Sequence, residues 1–356
     1  MIEEEFPLNI ATSSIATSGA LAGASSETFA DHPGYRRMFA RDHLTVGIFL
    51  PQRFYQGDMA VLQGQADLVA EADRRGFAAV WVRDVPLFDP AFGDAGQLFD
   101  PFTYLSYLAA RTNRIALATG SAIFSLRHPI DLAKAASTID HLSGGRLVLG
   151  IASGDRPVEF PAYGLDMDER GTRFAQAVAY FRQLLAPGRL AIDTGLGMVT
   201  GADFLPKPPV GRIPLIVTGS SRQSSAWVAE QADGWLTYPQ STHTADGPRR
   251  LALNIRAWRE RIPDGGFRPH MTNEWIDLAD DPNFPRTPLR GGFVLKTGRK
   301  GLIDLLGEWR EAGVNHAALG MQFAGRPAPE IIQELAEEVL PQFPSLEGPK
   351  PLAAKW

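Results

Sequence analysis

The strongest constraint on the fold is an alternation, repeated eight times, of a short apolar run and a longer stretch with helical spacing. Strands that alternate with helices form parallel βαβ units. Eight such units in about 300 residues predict a closed (β/α)8 TIM barrel. An open doubly wound sheet is the alternative, but that fold usually has a glycine-rich turn after its first strand. Residues 44–57 lack such a turn.

The boundaries of these units follow from apolar periodicity and from helix start and stop residues. The predicted strands are 44–50, 77–82, 115–118, 146–151, 213–217, 234–237, 271–276 and 316–319. The predicted helices are 59–75, 101–111, 129–142, 168–185, 222–232, 244–261, 300–312 and 329–339.

The barrel is expected to occupy residues 44–345, between two dissimilar ends. Residues 1–43 include a run of small Ala, Ser, Thr and Gly residues, which predicts an extended or partly disordered arm; an arm that packs on a partner subunit is the alternative. Residues 346–356 form a C-terminal tail. Two segments rich in proline and glycine, 187–212 and 279–298, are predicted loop excursions, and long loops of this kind often serve as lids.

Composition excludes several functional classes. The chain has no cysteine, which rules out disulfides, cysteine-ligated zinc, iron–sulfur clusters and thiol nucleophiles. The formal net charge of -5 offers no basic surface for nucleic acid or an anionic membrane. No apolar run reaches the roughly 18 residues of a membrane span, and the acidic start has the wrong charge for a secretory signal. A cytoplasmic location is therefore expected.

The segment after the fifth predicted strand is a candidate anion site. Thr218, Gly219, Ser220 and Ser221 lead from that strand into a helix. Backbone N–H groups at a helix start, together with hydroxyl donors and a glycine that permits close approach, suit a phosphate. An ordinary serine cap is the alternative. The position is unusual, because the common phosphate site of barrels follows strands seven and eight.

Small residues also follow the fourth predicted strand. Ser153 and Gly154 leave room for a flat ring, and Asp155 could exchange a proton beside it, although a turn aspartate that caps the next segment is the alternative. His128, at a helix start, could contact a ligand or be structural. The seven histidines are not clustered at strand ends, so no metal site is predicted.

Several motifs together resemble the bacterial luciferase-like monooxygenase family over about 44–340. They lie at 76–84, 110–120, 127–129, 138–146, 149–155 and 217–221. The resemblance implies a barrel that binds FMN or, in a sister branch, a deazaflavin. It places the phosphate on the loop of Thr218, Gly219, Ser220 and Ser221. It places the ring near Thr119, Gly120, Ser121, Ser153 and Gly154, with a non-proline cis peptide between Gly120 and Ser121 as in several relatives.

The sequence departs from the family at one catalytic position. Luciferases and deazaflavin alcohol dehydrogenases carry a catalytic histidine directly after the acidic residue that ends the second strand. Here Val85 follows Asp84, so their mechanism does not transfer to this chain. Asp155 matches a position that is acidic in some deazaflavin relatives. The candidate catalytic residues are therefore Asp155, Asp84 and His128.

Three functions follow as hypotheses. The first is an FMN-dependent monooxygenase that takes reduced flavin from a separate reductase and uses oxygen on a small organic substrate. The second is a deazaflavin-dependent hydride transfer, in which basic residues at the mouth hold an anionic tail: Arg286, Arg290, Lys296, Arg299 and Lys300. The third is a barrel that binds a phosphorylated metabolite without redox chemistry. The resemblance also implies a homodimer.

Overall fold

The computed structural model describes residues 22–52, 64–92, 99–348 and 350. The described strands are β1 (Thr45–Phe49), β2 (Ala79–Val82), β3 (Ala116–Ile123), β4 (Leu147–Ala152), β5 (Ala191–Thr194), β6 (Gly197–Thr200), β7 (Leu215–Thr218), β8 (Gly234–Leu236), β9 (His270–Leu278), β10 (Thr287–Leu289), β11 (Val294–Thr297) and β12 (His316–Gly320).

Eight of these strands close into a parallel barrel in the order β1-β2-β3-β4-β7-β8-β9-β12. The circle closes where β12 pairs with β1, in the register that places His316 opposite Thr45 and Gly320 opposite Phe49. The predicted (β/α)8 TIM barrel is therefore confirmed.

The helices lie between the strands, and local signals in the sequence set their ends. Asp100 and His128 cap the helices that follow them, each with proline at the first turn. Gly76 and Gly144 end two helices in the left-handed conformation. The helices are α1 (Pro33–Met38), α2 (Gln65–Arg75), α3 (Pro101–Arg111), α4 (Pro129–Ser143), α5 (Glu159–Ala162), α6 (Arg170–Leu185), α7 (Ser225–Gln231), α8 (Asp246–Arg259), α9 (Arg299–Ala312) and α10 (Ala328–Glu334).

Both excursions contain short antiparallel pairs. In the first, β5 pairs with β6. In the second, β10 pairs with β11, and β11 runs parallel to the end of β9. The second excursion therefore extends the barrel wall beyond β9 and reaches the mouth at the carboxyl ends of the strands.

A buried hydrogen-bond chain crosses the barrel interior. The indole N–H of Trp81 donates to Nε2 of His316 at 2.9 Å. The proton of this imidazole is therefore on Nδ1, which donates to the Thr45 hydroxyl at 2.7 Å. The Thr45 hydroxyl in turn donates to the Met38 carbonyl at 2.8 Å. Burial lowers the pKa of His316 to about 3, so the ring stays neutral. Gly150 makes room above Trp81, because a Cβ there would lie 3.2 Å from the indole and 2.0 Å from a backbone oxygen.

Residues 22–43 pack beneath the barrel. Phe29, Tyr35 and Phe39 are buried in the same apolar cluster as the interior residue Trp81, and the ring of Phe39 lies 6.1 Å from that of His316 at the start of β12. This part of the predicted arm closes the end of the barrel opposite the mouth. Residues 1–21, and all of the tail beyond 348 except residue 350, lie outside the described residues.

Candidate functional site

A cleft of about 660 Å³ opens at the carboxyl ends of the barrel strands. Its volume lies in the range of roughly 300–1,000 Å³ that is usual for small-molecule sites. Residues that follow β2, β3, β4 and β7 line one part of the cleft, and aromatic residues from β9, β12 and the second excursion line the other.

A loop of hydroxyl residues at the end of β7 forms the polar wall. Gly219, Ser221 and Arg222 all have positive φ, at 56°, 45° and 63°. Two hydrogen bonds hold the loop in this shape: Ser221 Oγ donates to the Thr218 carbonyl at 2.8 Å, and the Trp235 indole N–H donates to the Gly219 carbonyl at 2.8 Å. A Cβ on Gly219 would meet no atom within 4 Å. The loop therefore leaves open space beside Gly219 at the cleft.

The hydroxyls of this loop differ in their surroundings. Ser221 is buried and its proton is used within the loop. Ser220 is exposed, and its oxygen accepts only a long bond of 3.3 Å from the Arg222 amide. The hydroxyl of Thr218 contacts that of Ser121, which joins β7 to β3 across the cleft. Ser220 is therefore the serine best placed to donate to a ligand.

The ends of β3 and β4 form the floor beside this loop. The Gly120–Ser121 peptide is cis, as the resemblance implied. Gly120, Ser121, Ser153 and Gly154 all line the cleft. Thr119 does not, because its side chain is fully buried and donates to the Gly150 carbonyl at 2.7 Å. Thr119 holds two strands together, and its predicted cofactor contact is not supported by this position.

The three candidate catalytic residues lie in different settings. Asp155 is exposed in the cleft. Asp84 borders the cleft, but its carboxylate accepts from the Ile123 amide at 3.0 Å and pairs with Arg127 at 2.7 Å. His128 lies outside the cleft. It caps α4, and its Nε2 is 2.8 Å from the Leu196 carbonyl. The Asp84 carboxylate and the His128 imidazole are thus engaged by other protein groups, and Asp155 is an exposed acid of the cleft.

Arginines line the cleft in excess of acids. They are Arg83, Arg156, Arg170, Arg222 and Arg290, against Asp84 and Asp155. Arg83 and Arg156 follow β2 and β4, at strand ends where functional residues of a barrel are expected. Arg170 begins α6 and carries no sequence signal. Five arginines and two aspartates line the cleft, with Asp84 paired to Arg127 and Arg156 3.9 Å from Glu159, so the charge of the lining is positive and favours an anionic ligand.

Glu159, which the sequence analysis did not single out, has a buried carboxyl next to Arg156 of the cleft. Burial raises the pKa of Glu159 to about 7, Arg156 opposes that rise, and the charges of Asp84 and Asp155 add to it. Oε1 of Glu159 lies 3.9 Å from the Arg156 guanidinium. The carboxyl therefore takes up a proton near neutral pH beside the exposed Asp155.

Four aromatic rings form the opposite wall. Phe49 and Trp275 meet edge to face at 5.2 Å. Phe293 and Phe323 meet at 5.8 Å, and each lies just over 6 Å from Trp275. This arrangement, which we call the aromatic wall, could exclude water from a reacting ligand. Sequence alone did not reveal it, because its members come from three distant parts of the chain.

The basic residues of the second excursion mostly point away from the cleft. Arg286 pairs with Glu308, Lys296 with Asp277 at 3.4 Å, and Arg299 with Glu334 at 3.2 Å. Lys300 donates to Asn283 at 2.9 Å. Of the five residues predicted to hold an anionic tail, Arg290 lines the cleft.

The cleft fits a flat ring that carries a phosphate. Gly219 leaves space where a Cβ would project, Ser220 and the backbone of the loop offer donors, and Arg222 adds positive charge. Gly120 and Gly154 line the floor as small residues, and the space that a Cβ would take is filled by Phe49 at Gly120 and by Ile123 and Phe160 at Gly154. Among the described residues, no three histidine or acidic side chains converge as a metal site would need. None of the described helices has the length and apolarity of a membrane span.

The fold and the cleft define a (β/α)8 barrel with a cleft of small-molecule size at its strand ends. The particular family follows from the sequence: a sequence model of the luciferase-like monooxygenases matches residues 44–268. The chain belongs to this family.

Individual proteins are similar to this chain in sequence or in fold. An uncharacterized protein of Mycobacterium tuberculosis is 28% identical over 240 residues, which are 65% of this chain and 75% of that protein. The F420-dependent hydroxymycolic acid dehydrogenase of M. tuberculosis is 28% identical over 204 residues, 56% of this chain and 54% of that enzyme. The crystal structure of a monooxygenase from Streptomyces bottropensis superposes with a TM-score of 0.69 at 20% identity, covering 84% of this chain and 99% of that one.

Proposed function

We propose that this protein is an FMN-dependent monooxygenase that acts on a small organic substrate. The observation that carries the proposal is that one cleft contains both the hydroxyl loop after β7 and a floor of small residues at the ends of β3 and β4. A flavin mononucleotide requires donors for its phosphate and, beside them, a surface of small residues on which its ring can lie. Membership of the luciferase-like family supports the same assignment.

Each part of the cleft has a task in this proposal. The loop amides, Ser220 and Arg222 bind the phosphate. Ser121 and Ser153 orient the ring from below. Asp155, exposed beside that floor, holds or moves a proton at its carboxylate, while the aromatic wall keeps water from the reacting centre. Bound reduced FMN would supply the electrons for oxygen activation, and a separate reductase and homodimerisation remain predictions.

A deazaflavin-dependent hydride transfer is the second candidate. The excess of arginines in the cleft favours a cofactor with more negative charge than one phosphate, and the name of the M. tuberculosis dehydrogenase supports the same cofactor class. The pairing of Arg286, Lys296 and Arg299 with carboxylates leaves fewer cations for a long anionic tail than the sequence indicated. FMN is therefore the first choice.

A titration distinguishes these candidates. Purified protein is titrated with FMN, with reduced FMN under anaerobic conditions, and with coenzyme F420, following ligand fluorescence or absorbance. We expect tighter binding of FMN or reduced FMN than of F420. Tighter F420 binding would transfer the assignment to the second candidate, and saturation by none of the three would leave the barrel as a binder of phosphorylated metabolites.

A further inference from the structure

The aromatic wall and Arg290 form a second half of the cleft that the proposed flavin site does not use. Its rings lie across the mouth from the hydroxyl loop, on β1, β9, the end of β12 and the second excursion. Trp275 is at the centre, and Phe293 leaves 46% of its surface exposed at the rim. An exposed aromatic side chain at the rim of a cleft is a surface that a flat apolar ligand can cover.

Arg290 is held over this wall by an uncommon backbone turn. Arg290, Gly291 and Gly292 have φ of 50°, 68° and 92° in succession. The left-handed region disfavours side chains larger than glycine, so arginine is an unexpected choice for the first position of this turn. The turn places the guanidinium 4.5 Å from the ring centre of Phe323. A residue kept in an unfavourable conformation at a binding cleft points to a functional role.

The guanidinium of Arg290 lines the cleft and lies over the face of the Phe323 ring. A planar guanidinium in this position can bind a carboxylate through two parallel hydrogen bonds while the attached ring stacks on the wall.

We infer that the aromatic wall and Arg290 bind the organic substrate, and that this substrate is a flat apolar molecule carrying an anionic group such as a carboxylate. The inference rests on the proposed function only in calling this ligand the substrate. The binding site itself is independent of which cofactor the hydroxyl loop holds.

Two matched probes test the inference. Calorimetry measures the binding of 2-naphthoate and of 2-naphthamide, which share a ring system but differ in charge. We expect at least about tenfold tighter binding of naphthoate. Arg290→Gln should abolish that preference, Arg290→Lys should retain part of it, and Phe293→Leu should weaken both probes alike. Lys300→Gln, which removes one exposed positive charge from α9 next to this excursion, serves as the control and should leave the preference intact.

Any of three results would overturn the inference. The wild-type protein could bind the two probes equally, it could bind neither at millimolar concentration, or the preference for naphthoate could survive in Arg290→Gln. Loss of the preference in Ser220→Ala would do the same, because it would put naphthoate on the hydroxyl loop. FMN binding is measured on the same samples. A protein that prefers naphthoate but ignores FMN refutes the proposed function alone, and one that binds FMN without the preference refutes this inference alone.

Discussion

Replacing Ser220 by alanine removes the one loop serine whose hydroxyl is exposed to the cleft. Ser221 spends its proton on the Thr218 carbonyl at 2.8 Å, whereas Ser220 accepts a long bond of 3.3 Å from the Arg222 amide. The substitution therefore costs the folded protein little. It deletes one donor to a bound phosphate and leaves the loop backbone in place.

The size of the effect follows from the type of hydrogen bond. A bond to a charged group contributes about 1.5–3 kcal/mol, and an exposed position argues for the lower end of that range. A loss of about 1.5 kcal/mol corresponds to roughly tenfold weaker FMN binding. Riboflavin has the same ring system and no phosphate, so its affinity should change by less than about twofold, well under the 1.4 kcal/mol of a tenfold effect.

The assay is a fluorescence titration of wild-type and Ser220→Ala protein with FMN and with riboflavin. Thermal unfolding of both proteins without ligand confirms that the loop still folds. A parallel loss of affinity for both ligands would show that the hydroxyl contacts the ring or ribityl chain. An FMN affinity equal to that of the wild type would remove Ser220 from the anion site. It would refute the assignment of Ser220 as the ligand donor and of Ser221 as the serine that holds the loop.

Four further substitutions test three acids and His128. Asp155→Asn should lower turnover by at least about tenfold while shifting stability by less than about 0.5 kcal/mol. Asp84→Ala should cost about 1–3 kcal/mol in urea unfolding, because it removes the acceptor of the Ile123 amide, while Arg127 keeps its second carboxylate partner, Asp100, at 3.2 Å; the opposite pattern would contradict these roles. His128→Asn retains a capping side chain and should leave turnover unchanged in a steady-state assay, so a large loss would return His128 to the site. Burial raises the pKa of Glu274 from 4.5 to about 7, so between these pH values the folded protein keeps a proton that the unfolded chain loses. The free energy of unfolding of the wild type therefore falls as pH rises from about 4.5 to 7. In urea unfolding, Glu274→Gln should become more stable relative to the wild type by up to about 3 kcal/mol between pH 5 and pH 8, and a pH-independent difference would contradict the shift.

The barrel was predictable because its determinants are local. Each signal spans only a few consecutive residues: an apolar run marks a strand, a cap followed by proline marks a helix start, and glycine marks a helix end. Asp100 before Pro101 and Gly144 are examples. The hydroxyl loop was predictable for the same reason, since Thr218, Gly219, Ser220 and Ser221 are consecutive and follow a strand. The family resemblance then explained why an anion site would follow the fifth barrel strand.

The remaining features depend on contacts between distant segments. Thr119 looked like Ser121, two positions further on, because regular strand alternation would put both side chains on one face. A register shift between Thr119 and Ala122 breaks that alternation, and the Thr119 hydroxyl donates to the Gly150 carbonyl instead of facing the cleft. The segment before β1 looked poor in structure because small residues dominate its first half, while Phe29 and Tyr35 pack under the barrel. The aromatic wall joins residues more than 200 positions apart, and no periodicity in the sequence links them.

The most direct test of the central claim is a crystal structure of the protein soaked with FMN. The account predicts that the phosphate lies within hydrogen-bond distance of Ser220 and the amides of the loop after β7, with the ring over Gly120 and Gly154 and facing the aromatic wall. A flavin bound elsewhere on the barrel, or one whose ring occupies the hydroxyl loop while its phosphate meets Arg290, would contradict it.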